Sequence, residues 1–412
     1  MTDGPIPFDI DTIRTRFPAL ARTDAGGQAA YLDGPGGTQV PRSVIDAMSD
    51  VLAAGVSNLG GGFAASEYAE QVTSQGREAM ADFFNAEPDE ISFGQNMTSI
   101  TFAISRSLAR TWKPGDAIVV TSLDHDANFT PWVRAAQDAG AAVRVAEFDP
   151  STGELDPGAI ANLLDDTVQL VATCVASNAI GTVVDVAAIT TLAHEAGALV
   201  YLDAVHAGPH RMIDVAAIDC DFLVASAYKF FGPHTGILYG KLARLAELDF
   251  YKVRPAPSNP PDKLETGTQS FESIAGVAAA VDYLADLGSD PHGSRRQRLE
   301  SAYARINDHE RSLATRFLDG ISGMERVTVH GVPTADDRRV ATFAISVDDV
   351  GPSEVAAHMA EAGLYVWSGH YYAVNAMARL GFLDTGGLVR IGFVHYNTPA
   401  AVDRALEALA AL

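Results

Sequence analysis

A chain of 412 residues with 47% hydrophobic and 20% charged side chains has the length of two ordinary domains and ample apolar sequence for a large core. Its 52 acidic against 29 basic side chains leave a net charge of −23, which argues against nucleic acid or an anionic membrane as partner, because phosphate binding wants a basic surface. Asp3, Asp9 and Asp11 interrupt any signal-peptide pattern, and no apolar run reaches the about 18 residues of a membrane span. Two cysteines, Cys174 and Cys220, are too few for a disulfide framework, so a reducing cytoplasm is the expected location.

After a polar lead-in with a short helix expected over 13–20, strands and helices alternate from Tyr31 onward, the signature of a mostly parallel sheet covered on both faces. Gly34, Gly36 and Gly37 mark either ordinary loop punctuation or a loop whose backbone approaches a ligand. Helical periodicity runs over 42–54 and 67–84, separated by a segment with three consecutive glycines, Gly60 to Gly62. "EISFGQNMTSITFAISRSLAR" reads as strand, tight turn and amphipathic helix starting near Met97. Asn96, Met97 and Thr98 then form either a simple cap or an anion site built from free N–H groups and hydroxyls.

A strand over 117–121 delivers His125 in "SLDHDANFTPW", and further strands (143–148, 168–176) and a helix (186–196) lead to "LVYLDAVHAGPH". The apolar run there ends in Asp203, where a buried α/β strand presents residues to a ligand crevice. His206 and His210 have the spacing of a helical metal chelate, but Gly208-Pro209 breaks any helix, so no metal site is expected.

In "DFLVASAYKFFGPHTGILYG" two short apolar runs flank Lys229, which sits among Tyr228, Phe230 and Phe231. Such a lysine either lays its stem across aromatic surface or is desolvated into a nucleophilic amine. Asp203 on the preceding strand end favours the second reading: a carboxylate that keeps a pyridinium protonated, a Schiff-base lysine, and Asn178 beside a ring hydroxyl are what a pyridoxal phosphate enzyme needs. Beyond a proline-rich connection and a Gly-Thr loop at Thr268, a helix over 294–318 leads to strands expected over 327–330, 340–347, 364–367 and 388–394. A last helix follows, with Thr398 as cap and Pro399 in its first turn. Arg390 lies in an apolar strand and needs an anionic partner, either a structural acid or a substrate α-carboxylate.

These stretches carry a resemblance. "YLDGPGGTQVPRSVIDAM", "DHDAN", "SNAIGT", "LDAVHAGPH", "SAYKFFGPHTGILYG", "ETGT" and "VRIGFVHYNTPAAVDRALEAL" resemble the class V aminotransferase and cysteine desulfurase-like family of fold type I pyridoxal phosphate enzymes over nearly the whole chain. The resemblance implies an α/β fold with a large domain built on a mostly parallel seven-stranded sheet plus a smaller C-terminal α+β domain. The expected divisions are an N-terminal arm over 1–30, a large cofactor-binding domain over 31–290 and a small domain over 291–412. It implies pyridoxal 5′-phosphate as cofactor and an amino-acid substrate. Catalytic roles fall to Lys229, His125 and Asp203, with His125 stacked on the pyridine ring. Asn96, Met97, Thr98, Ser226 and Tyr228 gather at the phosphate, Tyr228 standing where relatives often carry a histidine, while Asn178 and His206 serve the ring hydroxyl. Thr268 reaches the cofactor of a neighbouring subunit in a homodimer with shared active sites.

The resemblance breaks at the reaction. Gly60 to Gly62 replace a histidine and an arginine of the desulfurase relatives. Tyr372 holds the position of the loop cysteine that accepts sulfur, and Trp367 stands in place of an arginine. Cys174 and Cys220 are expected far off in large-domain strands. With Arg390 clamping the substrate carboxylate and His370, Tyr371 and Tyr372 either protonating a leaving group or packing their loop, the expected reaction is C–S cleavage of cysteine or a cysteine S-conjugate by β-elimination. The alternatives are a class V aminotransferase and a desulfurase working without the loop cysteine; a non-enzymatic cofactor-binding scaffold is opposed by the retained Lys229 and Asp203.

Overall fold

The computed structural model describes residues 8–24 and 26–412, so the opening stretch of the expected N-terminal arm, with Asp3, lies outside the described residues. Seven strands form the larger sheet: β1 Ile91–Gly94, β2 Ala117–Thr121, β3 Ala142–Ala146, β4 Val168–Cys174, β5 Leu199–Asp203, β6 Phe222–Ser226 and β7 Gly236–Gly240. Their order is β1-β7-β6-β5-β4-β2-β3, with β2 to β6 mutually parallel and β7 antiparallel to both neighbours. Parallel strands covered on both faces need apolar side chains at every position. In β2, Ala117 and Val119 enter the core on one face while Ile118 and Val120 enter the core on the other; Leu223 and Ala225 oppose Phe222 and Val224 in the same way in β6. That double burial is why these segments read as continuous apolar runs.

The second sheet comprises β8 Val327–His330, β9 Thr342–Val347, β10 Trp367–Gly369 and β11 Leu388–Gly392. It is antiparallel in the order β8-β9-β11-β10. Helices Arg295–Ile321, Pro352–Glu361 and Pro399–Ala410 share its core through Leu313, Phe317, Val355, Met359 and Val402. Ser294 starts the longest of them with a capping box to Gln297. Ala30–Tyr31 pairs in parallel with Leu364–Tyr365, and Asp33 bridges to Gly392, so the chain touches the small sheet before it enters the large one. No described helix is long and apolar enough to cross a membrane.

Two local expectations change. The helix expected over 13–20 is an α-helix over Ile10–Thr15 and a separate 3-10 turn over Pro18–Ala21, with buried Phe17 at the break; Pro18 has no N–H to continue the first helix. The strand expected over 364–367 divides between the pairing with Ala30–Tyr31 and β10, which pairs with β11.

The fold brings β5, β6 and the helix Met97–Leu108 to one point. The Met97 N–H donates to Ser226 Oγ at 3.1 Å, and Gly236, opposite Ser226 in register, packs so closely that a Cβ there would lie 2.5 Å from the Asn96 carbonyl carbon. Because backbone cannot yield as a side chain would, Gly236→Ala is expected to lower stability by about 1–3 kcal/mol in urea denaturation. Gly323→Ala, which would meet nothing within 4 Å, should change it little.

Candidate active site

Lys229 ends a 3-10 turn, Ala227–Lys229, between β6 and β7. The turn is clamped from the other side of the molecule. Thr38 N–H and Oγ donate to the Tyr228 carbonyl at 3.0 and 3.1 Å, Phe231 N–H donates to Thr38 Oγ at 2.8 Å, and Lys229 Nζ donates to the Pro35 carbonyl. A Cβ on Gly37 would meet the Tyr228 ring at 3.2 Å, so glycine is needed for this loop to close on the turn. The Lys229 amine lies 4.9 Å from the Tyr228 ring centroid. Burial first, then the nearby Arg390 charge, lowers its pKa to about 7.

Two cavities meet at this lysine and share Thr98, His125, Asn178 and Tyr228. The inner one, about 550 Å³, is lined by Asn96, Met97, Asp203, His206 and Ser226 as well. The outer one, about 660 Å³, is lined by Trp367, His370, Tyr371, Tyr372 and Arg390. All the singled-out residues except Thr268 therefore converge. Thr268 is exposed and lines a separate cavity of about 440 Å³, which touches the inner one through Ser99 and His234.

At one end of the inner cavity Asn96 caps the helix Met97–Leu108, accepting from Ser99 N–H at 2.9 Å. The Thr98 N–H belongs to the first turn, which no preceding turn can satisfy, and this makes the end receptive to an anion. Tyr228 stacks on His234, with ring centroids 4.8 Å apart. At the far end Asp203 Oδ1 accepts from Val205 N–H at 2.9 Å, and burial raises its carboxyl to about 6. A cation facing it would draw that value down again.

Two buried polar atoms with no hydrogen-bond partner among the described residues line the inner cavity. His206 bonds Thr342 Oγ through Nε2 at 3.0 Å, leaving Nδ1 orphaned; Asn178 donates to the Tyr371 carbonyl at 3.0 Å, leaving Oδ1 orphaned. Orphaned buried atoms cost about 1–3 kcal/mol each, which a bound polar ring would offset. His210 pairs through Nδ1 with buried Glu310 at 2.7 Å, and among the described residues no three or more His, Cys, Asp or Glu side chains are grouped to hold a metal. An anion-receptive helix start, a lysine of lowered pKa, a carboxylate and two unpaired polar atoms fit pyridoxal phosphate.

His125 accepts from Ala127 N–H through Nδ1 at 3.0 Å, and burial with two neighbouring cations lowers its pKa to about 4, so the ring is neutral at physiological pH. Arg390 reaches in from β11. It donates to the Asn178 carbonyl at 2.9 Å, lies over the Tyr371 ring at 4.5 Å, and leaves Nε unpartnered. No carboxylate lies within 4.0 Å of its guanidinium among the described residues. Asp33 is the nearest counter-charge, its own carboxyl raised by burial to about 6.

Sequence reading missed Asp33, the Pro35 carbonyl and His234. The Asp-Gly-Pro-Gly-Gly run, read only as a glycine loop, was the available signal for the first two. It also misplaced Cys174, which is not remote: it lines the inner cavity, paired in register with Asp203, because β4 ends beside β5. The thiol is fully buried, with its pKa pushed far up by burial and the neighbouring Asp124 and Asp203, and it does not line the outer cavity.

Fold and site together are those of a fold type I pyridoxal phosphate enzyme. The Aminotransferase class-V family model matches residues 30–405. A cysteine desulfurase of Serratia proteamaculans is 32% identical and an uncharacterised protein of Mycobacterium tuberculosis 30% identical, each covering 98% of this chain and nearly all of its own length. Among solved structures, the cysteine desulfurase CsdA of Escherichia coli superposes with a TM-score of 0.84 at 26% identity, each chain covered to 98%. That of Thermococcus onnurineus does so with 0.85 at 25% identity and 97% coverage. The chain belongs to the class V aminotransferase family, in its cysteine desulfurase-like part, whose enzymes use pyridoxal 5′-phosphate. Lys229→Ala is expected to abolish the visible absorbance of lysine-bound cofactor, read by spectrophotometry after reconstitution; an unchanged spectrum would contradict the lysine assignment.

Proposed function

We propose that this enzyme cleaves the C–S bond of cysteine or a cysteine S-conjugate by β-elimination. The carrying observation is the outer cavity, which holds a carboxylate-binding arginine but no thiol to accept sulfur. Persulfide chemistry needs a reactive thiolate there; Cys174 and Cys220 are both buried, with thiol pKa values raised. Elimination needs none.

Pyridoxal phosphate, when bound, supplies an electron sink for the bonds at the substrate α-carbon. Arg390 holds the α-carboxylate by its unpartnered edge, which supports a clamp role rather than a structural ion pair. Lys229, neutral above about pH 7, takes the Cα proton. Asp203 would keep the ring nitrogen protonated, His206 and Asn178 would hold the ring hydroxyl, and neutral His125 would pack against the ring; Asn96, Met97, Thr98, Ser226 and Tyr228 would hold the phosphate. His370 accepts from Tyr372 N–H through Nδ1 at 3.1 Å, so Nε2 is the ring nitrogen that can donate a hydrogen bond to a departing thiolate, which takes its proton from water. The net change consumes one water and releases pyruvate, ammonia and a thiol or sulfide.

In this reading two chains share their sites, Thr268 of one reaching the phosphate of the other, which accounts for its exposed loop apart from its own inner cavity. Fully reduced, buried cysteines support a cytoplasmic setting. We divide the chain at about residues 30 and 290, a reading supported by the larger sheet's strands falling between residues 91 and 240 and the smaller sheet's between 327 and 392.

The test is to incubate holoenzyme with L-cysteine and S-substituted cysteines and assay sulfide, thiol, pyruvate and alanine together. Pyruvate with equimolar thiol or sulfide is expected. Alanine with sulfide would mean desulfuration without a loop thiol, and bleached cofactor with none of these products would mean transamination.

A further inference from the structure

The outer cavity is far larger than cysteine requires. A volume of about 660 Å³ falls within the roughly 300–1,000 Å³ of pockets that hold drug-sized ligands, whereas the cysteine side chain is one methylene and a sulfur. Its walls are aromatic and apolar: Phe102, Pro131, Trp367, Tyr371 and Tyr372 line it with His125. Trp367 is 56% exposed and Tyr372 67% exposed where they line this cavity, so their ring faces are open to a ligand in it.

The rings are held in place. Tyr371 and Tyr372 both adopt left-handed backbone, with φ of 51° and 59°, conformations that cost a non-glycine residue free energy and persist only where surroundings impose them. Asn178 donates to the Tyr371 carbonyl, Asp126 N–H donates to the Tyr372 carbonyl at 2.7 Å, and the Tyr371 hydroxyl donates to the Leu388 carbonyl. The Tyr372 ring thereby lies nearly parallel to that of His125, 21° between planes and 5.5 Å between centroids. Trp367 is fixed on β10 opposite Arg390 in register. Lys229 and Arg390 are the only Lys or Arg side chains among the lining residues, and in the reading above the substrate amine and carboxylate engage both. No further lysine or arginine lines the cavity for a second acidic group.

Resting on the amino-acid reading of this site, we propose that the preferred substrate carries a neutral aromatic group beyond its β-carbon, seated against Trp367 and Tyr372, as in an S-benzyl or S-aryl cysteine. The test is calorimetric titration of holoenzyme with L-phenylalanine and L-alanine, which have no leaving group, alongside kcat/KM for S-benzyl- and S-methyl-L-cysteine. Phenylalanine is expected to bind about tenfold more tightly than alanine. Trp367→Ala and Tyr372→Ala should each erode that preference several-fold, read as the ratio of the two affinities within each variant. Equal affinity for the two amino acids, or a preference that survives both substitutions, would overturn the proposal. Aromatic preference without C–S cleavage would refute the reaction and keep the pocket; cleavage without preference would do the reverse.

Discussion

The interaction on which the site depends is the burial of Lys229 beside a second cation. A buried ammonium must find compensation or give up its proton. Here the Pro35 carbonyl, the Tyr228 ring and the carboxyls of Asp33 and Asp203 compensate in part, while Arg390 works against them. The balance leaves the lysine near 7 and both carboxyls near 6. The loop carrying Asp33, Pro35 and Thr38 thus helps to set the environment of the lysine, since it closes on the lysine turn.

The two sheets divide the task. The large sheet supplies the carboxylate at the end of β5, the lysine on the turn that follows β6 and the anion-receptive start of the helix that follows β1. The small sheet supplies Arg390 and Trp367 from paired strands, and its loop supplies His370 to Tyr372. Asn178 joins the halves, donating to Tyr371 while its carbonyl receives Arg390. Any shift between the sheets would therefore change the distance from Arg390 to the Lys229 amine. In the outer cavity Tyr371 and Tyr372 hold left-handed backbone that their surroundings impose.

Much of this was legible in the sequence, for physical reasons. Parallel strands declare themselves as short apolar runs because both faces are buried, so the segments ending in Asp203 and Ser226 and the turn of Lys229 could be placed. The helix start at Met97 was legible through its Asn96 cap. What escaped were contacts that close over long sequence separations. Thr38 reaching the Tyr228 turn, Asp33 facing Arg390, and Cys174 lining the inner cavity depend on strand order across the sheet, which local patterns do not encode. The break at Pro18 and the divided strand around Tyr365 were missed because apolar content continues across both.

The most direct measurement is the ionisation of Lys229 itself in the cofactor-free protein. Lysines would be labelled by ¹³C reductive methylation and titrated by NMR, with Lys229→Arg identifying the resonance. A midpoint near 7 is predicted. A midpoint near the ordinary lysine value of 10.5 would contradict the account, because it would mean that the amine is solvated and that the loop and the arginine do not set its reactivity.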